Sequence, residues 1–593
     1  MRRDDPLPSV FPCWLLLAAF AVGLLHLGVR LWEIQITDSA SYSYASTRQS
    51  VRRVQVAGFR GRILDRKGEA LAVNRLSASV VCYPEFFQKR TWSETTEAIG
   101  KAISDVAVVI GIGSPVTERQ IRRHVDQSLA LPLFVWNDIG DDELARFSEH
   151  ESDFPGFGII ETVERAYPHG SVAAHLLGYV GRERSLTAAG DERFHYSFPE
   201  LRGRAGVEIY YDSYLRGVPG EKKVLVDARG FAMRDWDVVQ PRPGPDLRLT
   251  IDLNIQRLVE RELHDVCGAC VAIDPRNGEV LALASAPGYD PNAFVPVLTH
   301  DVYNRYAHDP AKPLLNRATG GAYAPGSTFK PVTALAGLSA GYPADAKYAC
   351  SGIYEMGEMS LHCSSRWGHG EMDIRHALMK SCNPFFCNLA ASVGTNVLIR
   401  TARSFGLGSK TGIDFGIDMA GVVPDAEWKM KMYRERWYGA DLVQMAIGQG
   451  MLLVSPLQMA LVAGAIGTGR LVTPHLNVAT VAESRTLPFP PDHLNIVRAG
   501  MRSVVAGDGT SRGTGWRGGD RLRVEVSGKT GTAEVGRGTA RRKNTWFIGY
   551  APSESPTVAI AMVIENGESG GGTTAPRVRN VLAGIFGETE VAR

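Results

Sequence analysis

A serine and a lysine stand three residues apart in GAYAPGSTFKP: Ser327 and Lys330, at the head of an apolar run, 328–338, that reads as a helix. Residues three apart share a helix face, so the lysine amine hangs beside the serine hydroxyl. No other lysine in the chain has a serine three residues before it. Two readings fit. Serine before a helix is commonly an N-cap whose hydroxyl accepts a hydrogen bond from an orphan backbone N–H. A serine with a basic amine beside it is also the minimal form of an activated nucleophile. Pro331 suits either, because the first helical turn has no use for its missing N–H.

Attack on an acyl group needs more than a base. It needs a polar group that carries a proton to the leaving amine, and donors aimed at the oxyanion. The stretch SCN (381–383) offers the Ser381 hydroxyl and the Asn383 amide two residues apart. Further on, SGKTGTAEV offers Lys529 followed by Thr530, Gly531 and Thr532, where a strand should begin. KTG occurs a second time at 410–412 in GLGSKTGIDF, but there Ile413 replaces the second hydroxyl and the run reads as a helix leaving into a loop. We expect Lys410 to be a decoy.

A thiol-rich cluster overlaps the second stretch. Cys350, Cys363, His369 and Cys382 follow C-x12-C-x5-H-x12-C, and three thiolates with one imidazole form a familiar tetrahedral zinc set. The gaps are wider than the C-x2-4-C of small zinc fingers, so buried free thiols or a Cys350–Cys363 disulfide fit the same residues. Because Cys382 lies between Ser381 and Asn383, a metal there would pin that stretch to the loop after the nucleophile's helix. Four protein ligands would leave no open position, so such a metal is structural and not catalytic. Cys387 is left to the core. Eight cysteines in a chain of 593 residues are too few for a disulfide scaffold.

The elements that must hold these groups follow from patterning. CVAIDPRNGEVLALASAP sets two apolar runs, 270–273 and 280–284, around Asn277 and Gly278, a strong hairpin signal. TWFIGYAP and TVAIAMVIE (545–552 and 557–565) read as two further strands, the second so apolar that it should be central. Helical periodicity fills the interval. Strands at both ends with helices between imply an α+β domain whose antiparallel sheet gathers strands from both ends.

Residues 30 to 245 show short alternating strands and turns, with no nucleophile beside a base; this half reads as a pedestal or docking module ahead of a unit at 246–593. At the N-terminus, 10–29 is a run without formal charge behind Arg2 and Arg3, and it has about the twenty residues a helix needs to span a bilayer. It exceeds the apolar core of a cleaved signal peptide, so we expect an uncleaved anchor, with 1–9 as a cytoplasmic tail. A net charge of +2 favours neither a nucleic-acid binder nor an acidic tail.

The order S-x-x-K, S-x-N, K-T-G-T, the last just before two final strands, resembles that of the penicilloyl serine transferases. Nearly the whole chain resembles the class B penicillin-binding proteins: LWEIQ after the anchor, RGRILDRKGEALAVNR, AYPHGSVAAHLLGYVG, GRAGVEIYYDSYLRGVPG and the terminal GGTTAP all match. GVVPDAEWK and WYGADLVQMAIGQGMLLVSPLQMA are similar to the elongation-type penicillin-binding protein 2 more than to the division type.

The resemblance implies an N-terminal transmembrane helix, an elongated pedestal of the dimerisation type, and a transpeptidase domain built on a five-stranded antiparallel sheet flanked by helices. It also implies a single-pass protein of the bacterial inner membrane with its catalytic domain in the periplasm. There it would cross-link peptidoglycan stem peptides, donor to acceptor, and be acylated by β-lactams. Carried onto this sequence, Ser327 attacks the D-Ala-D-Ala carbonyl and Lys330 takes its proton. Ser381 relays protons to the leaving amine, and Asn383 orients Lys330 and the peptide. Lys529, Thr530 and Thr532 hold the carboxylate, while Gly531 allows close approach. The N–H groups of Ser327 and Thr532 form the oxyanion hole. No cofactor is needed for catalysis. Some elongation-type relatives place metal ligands at comparable positions, which favours the structural zinc. The implied partners are a polytopic glycan polymerase and rod-complex scaffold proteins, and no nucleic acid. A D,D-carboxypeptidase, a division-type transpeptidase, a serine β-lactamase or sensor, and a non-catalytic scaffold of the wall complex are the competing readings.

Overall fold

The computed structural model describes residues 11–42, 50–182, 194–198, 200–295, 298–536 and 542–588. The expected tail 1–9 and Val10 lie outside them. Helix α1 (Phe11–Trp32) carries the apolar run and continues through LW into a further turn, Glu33–Thr37. Leu16, Phe20 and Leu25 stand exposed on it, and none of its most apolar stretch is buried against the rest of the chain. A core helix would be buried. This one has the length and composition to cross a membrane.

The pedestal is built on two sheets. Strand β1 (Val51–Val56) lies in the first, and β2 (Ile63–Leu64) and β3 (Ala70–Cys82) in the second. Helix α2 (Trp92–Ile110) follows; Thr91 and Glu94 close a capping box at its start, and Gly111 ends it at φ +82°. Its buried Ile99, Ile103, Val106 and Ile110 recur at helical spacing and pack with Val80, Val135, Trp136 and Phe147. Strands β4 (Leu133–Ile139) and β5 (Phe157–Ala166) both pair antiparallel with β3. The first sheet also holds β6 (Gly220–Val226), antiparallel to β1, β7 (Ala232–Val239) beside it, and, parallel to β1 on its other side, the two residues Tyr196–Ser197. A short β8 (Leu247–Arg248) lies parallel to β2, so the chain touches the pedestal sheet once more before leaving it.

Three of the stretches that resemble the family in this half meet at one buried ion network. Arg60 of RGRILDR reaches Glu208 of GRAGVE at 2.8 Å and Asp212 at 2.6 Å. Arg165, just before AYPHG, reaches the other oxygen of Glu208 at 2.6 Å. Asn74 of ALAVNR donates to the Arg60 carbonyl at 2.6 Å. The Glu208 side chain has no exposed surface. Two guanidiniums compensate it, which is the condition under which a buried carboxylate is tolerated.

The second unit holds the sheet expected from both ends of the chain. Helix α3 (Leu253–Leu263) leads into β9 (Gly268–Ile273) and β10 (Val280–Ala286), a hairpin with Gly278 at φ +90°. Helices α4 (Lys330–Ser339), α5 (Ile374–Lys380), α6 (Asn383–Val393), α7 (Pro456–Thr468) and α8 (Pro491–Ala506) come next. Strands β11 (Ser527–Val535), β12 (Arg542–Ala551) and β13 (Val558–Ile564) and helix α9 (Ala575–Ile585) close the chain. The order is β10-β9-β13-β12-β11, antiparallel throughout. The most apolar strand, β13, is central as expected. Alternation sorts the faces of β9: Cys270 and Ala272 pack with Val259 of α3 and Val578 of α9, while Val271 and Ile273 join the core containing α4 and α7. Strand β11, which carries Lys529, is an edge.

Candidate active site

The expected helix over 328–338 begins differently. Gly326–Phe329 forms a 3-10 turn, and α4 starts at Lys330. Neither turn nor helix has a side-chain cap, so the N-cap alternative for Ser327 falls. The reason lies in the backbone around it. The Gly326 N–H donates to the Gly448 carbonyl at 2.8 Å, and a Cβ on Gly448 would lie 2.0 Å from the Gly326 oxygen. From the other side, a Cβ on Gly531 would lie 2.9 Å from the Pro325 oxygen. Two backbones therefore press on the turn, and Trp546 Nε1 donates to the Ala324 carbonyl at 3.1 Å. Among the described residues the Ser327 hydroxyl has no hydrogen bond, and Ser327 lines an open cleft of about 1120 Å³.

Lys330 does not bond to Ser327. Its Nζ, wholly enclosed, donates to the Ser381 carbonyl at 2.7 Å and to Asn383 Oδ1 at 2.7 Å, with Ser381 Oγ at 3.4 Å. Lys529 Nζ donates to the same Ser381 Oγ at 2.9 Å and to the Thr530 carbonyl at 2.9 Å. One hydroxyl thus stands between two buried amines. Burial pushes the Lys330 ammonium down to about 8, against a smaller opposing pull from the Cys382, Cys387 and Cys363 thiols. Burial, and then the charge of Lys330, push Lys529 well below the ordinary lysine range. Two such amines cannot both be charged cheaply.

Ser381 ends α5 in the left-handed region, φ +56° and ψ +41°, a conformation that costs a non-glycine residue of order 1–3 kcal/mol and recurs at functional sites. It turns the chain so that α6 starts at Asn383 and Lys330 receives both the Ser381 carbonyl and the Asn383 amide. Asn383 Nδ2 in turn donates to the His362 carbonyl at 2.8 Å. On β11, Thr530 Oγ1 donates to Thr514 Oγ1 at 3.0 Å, and Thr532 Oγ1 accepts from the Gly570 N–H at 3.3 Å. Thr530, Gly531 and Thr532 line the cleft with Ser327, Ser381 and Asn383. Lys410 stands exposed in a surface turn beside Gly412, φ +81°.

Gly448, Gln449 and Gly570 were not singled out from the sequence as chemistry. Gln449 Nε2 donates to the Thr532 carbonyl at 3.4 Å, and the turn Gly570–Thr574 from the GGTTAP stretch covers β11. Glycines carry no side chain to read. Only the place of Gly448 in AIGQG, and of Gly570 directly before GGTTAP, set them near a matching stretch.

The thiol cluster is assembled. Cys350, Cys363, His369 and Cys382 place one donor atom each within 4.8 Å of one another. Cys363 Sγ lies 3.3 Å from His369 Nδ1 and 3.9 Å from Cys382 Sγ, and Cys350 Sγ lies 4.0 Å from the same nitrogen. Zinc–sulfur and zinc–nitrogen bonds of about 2.3 and 2.0 Å at tetrahedral angles separate ligands by roughly 3.5–3.8 Å, so the set fits a metal ion. The eight cysteines are free, so the Cys350–Cys363 disulfide alternative is not formed. Cys363 is the thiol poised to ionise, drawn down first by the hydrogen bond with Cys382 and then by His369; Cys382 moves the opposite way. Cys387 is outside the group, with its thiol 3.8 Å from the Val443 carbonyl.

Comparison with known proteins agrees with this architecture. Residues 268–583 match the penicillin binding protein transpeptidase domain, and 55–249 match the penicillin-binding protein dimerisation domain. The peptidoglycan D,D-transpeptidase MrdA of Acinetobacter baumannii is 33% identical, over 93% of this chain and 85% of its own. The penicillin-binding protein PBP2 of Helicobacter pylori, solved in complex with MreC, is 27% identical, with a TM-score of 0.77 over 91% of this chain and 99% of its own. A chain from a peptidoglycan synthase complex, described for the coordination of polymerisation and cross-linking, is 28% identical, with a TM-score of 0.71 over 99% of this chain and all of its own. With its pedestal, its five-stranded sheet and matches over nearly its full length, the chain belongs to the class B penicillin-binding protein transpeptidases, of the elongation-type penicillin-binding protein 2 kind.

Proposed function

We propose that this chain cross-links peptidoglycan stem peptides during cell-wall elongation, through an acyl-enzyme on Ser327 that β-lactams also form. The observation that carries the reading is the chain of polar contacts from Lys330 through Ser381 to Lys529, buried behind a serine hydroxyl that faces an open cleft. Ser327 Oγ attacks the carbonyl of the penultimate D-alanine as its proton passes to Lys330. With a pKa of about 8 that amine is partly neutral near physiological pH, as a general base must be. The lysine swings from its resting partners to the serine, since catalytic hydrogen bonds commonly tighten only with substrate bound. Ser381 hands a proton to the departing D-alanine amine. Asn383 holds Lys330, while Lys529, Thr530 and Thr532 hold the carboxylate. Gly531 has no Cβ because the Pro325 oxygen occupies that space. The N–H groups of Ser327 and Thr532 receive the oxyanion, each such donor contributing roughly 3–4 kcal/mol. An amine of a neighbouring stem then takes the acyl group.

The four-residue cluster holds a structural zinc. Its ligands are all from the protein, and Cys382 ties it to Ser381 and Asn383. We place the anchor at 10–29, the pedestal at 30–245 and the transpeptidase at 246–593, with the catalytic unit on the periplasmic side of the inner membrane. The pedestal docks the glycan polymerase and a scaffold protein; in support, one relative is solved in complex with MreC and another comes from a peptidoglycan synthase complex. Incubation of the purified chain with labelled penicillin, followed by mapping of the modified residue, tests the enzyme reading. Label on Ser327 is expected; label elsewhere or none overturns it.

A further inference from the structure

Beside Thr514, which lines the cleft next to Thr530, stands a cationic and aromatic group. Arg512 Cζ lies 4.2 Å and Arg517 Cζ 5.2 Å from the centre of the Trp516 ring. Both guanidiniums are exposed, and among the described residues neither reaches a carboxylate or donates a hydrogen bond. Lys380 joins them, its amine donating to Ser511 Oγ at 2.6 Å. The nearby Asp508 carboxylate is occupied by the Thr510 and Ser511 N–H groups at 2.8 and 2.7 Å. Three cations from two segments meet here, and among the described residues none of them is within ion-pair distance of a carboxylate, Asp508 included; the indole holds the two guanidiniums in place by cation–π attraction.

Thr514 joins this group to the reaction cleft. It lies midway between Arg512 and Trp516, lines the cleft, and accepts from Thr530 Oγ1 at 3.0 Å. Arg517 reaches the same edge: a Cβ on Gly572 would lie 3.7 Å from its Nη1, and that glycine's N–H donates to Ser569, a residue of the cleft wall. If Thr530 holds the carboxylate of the terminal D-alanine, the leaving residue lies between Ser327 and Thr514. The incoming amine must approach along the path by which the leaving amine departs, because acyl transfer to either amine passes through the same tetrahedral geometry.

We infer that Arg512 and Arg517, braced on Trp516, form the acceptor subsite and select an acceptor stem by its carboxylates. The attacking amine passes a proton through Ser381 to neutral Lys330 as its nitrogen bonds the acyl carbon, and Lys330 returns that proton to Ser327 Oγ as the ester C–O bond breaks, so the step needs no further reactant. The inference rests on the transpeptidase reading. It adds that the arginines favour cross-linking over hydrolysis of the acyl-enzyme.

The test uses the full chain in detergent with a D-Ala-D-Ala donor peptide. Two acceptors are compared: an amine-bearing tetrapeptide with free carboxylates, and the same peptide fully amidated. The ratio of cross-linked to hydrolysed product is measured per chain competent for penicillin labelling, which removes misfolded protein from the count. The R512A/R517A double variant should lower this ratio about tenfold with the carboxylate acceptor, as loss of charge-assisted hydrogen bonds would. It should leave the already low ratio with the amidated acceptor unchanged, and R512K/R517K should recover part of the loss. An unchanged ratio with the carboxylate acceptor, or an equal fall with both acceptors, overturns the inference while penicillin labelling still supports the enzyme. A wild-type chain that penicillin does not label would overturn both.

Discussion

The pH dependence of acylation follows from the enclosure of Lys330. Its Nζ is surrounded by the Ser381 carbonyl, Asn383 and the Phe386 ring, and burial brings its pKa from 10.5 to about 8. If the neutral amine takes the Ser327 proton, the competent fraction is roughly one tenth at pH 7 and nine tenths at pH 9. Acylation by a fluorescent penicillin under kcat/KM conditions should therefore rise about tenfold over that interval, with a midpoint near 8. The same shift acts on stability. The folded pKa lies below the unfolded one, so between them the unfolded chain binds more protons, and stability rises with pH across about 8 to 10.5. At about 1.4 kcal/mol per pKa unit, the lysine alone costs the fold roughly 3 kcal/mol below pH 8, and that cost fades as pH approaches 10.5. Stopped-flow acylation and urea titrations at stepped pH measure the two limbs. A rate that is flat from pH 6 to 9.5, with an intact fold, would refute Lys330 as the base.

Lys529→Ala should abolish acylation, whereas Lys410→Ala should retain it nearly in full; equal losses in the penicillin gel assay would show that the wrong KTG had been chosen. Gly531→Ala places a methyl against the Pro325 oxygen and should slow acylation by more than tenfold, or about 1.4 kcal/mol, in a protein that still melts cooperatively. Glu208→Ala leaves Arg60 and Arg165 buried without their carboxylate and should lower stability by about 3–5 kcal/mol in chemical denaturation. Elemental analysis of protein purified without chelator should find about one zinc per chain, and Cys382→Ser should lose both the metal and stability; zinc-free protein with reactive Cys350 and Cys363 thiols would remove the metal from the proposal.

The polar side chains that meet at the cleft were legible because their types and order are unusual, and the hairpin and the central β13 were legible because turn residues and apolar runs follow local rules. The N-cap alternative for Ser327 could not be dismissed from the sequence. What overrides it is the pressure of Gly448 and Gly531 on the Pro325–Gly326 turn, a contact between segments far apart in the chain. Likewise, RGRILDR, AYPHG and GRAGVE look like separate motifs in the sequence. Only the fold shows that Arg60 and Arg165 share the one buried carboxylate of Glu208. The left-handed Ser381 was equally hidden, since serine has no preference that announces it.

The β9–β10 hairpin is complete by residue 286, but the strand that pairs with the other side of β9 begins only at Val558. As the chain emerges, β9 therefore waits with an unpaired, apolar edge until almost the last of it has arrived. Closing so long a loop is entropically slow, and open edges of this kind invite pairing with other chains. The nascent transpeptidase unit is thus at its most aggregation-prone just before completion, and a truncation ahead of Val558 would leave that hazard permanent.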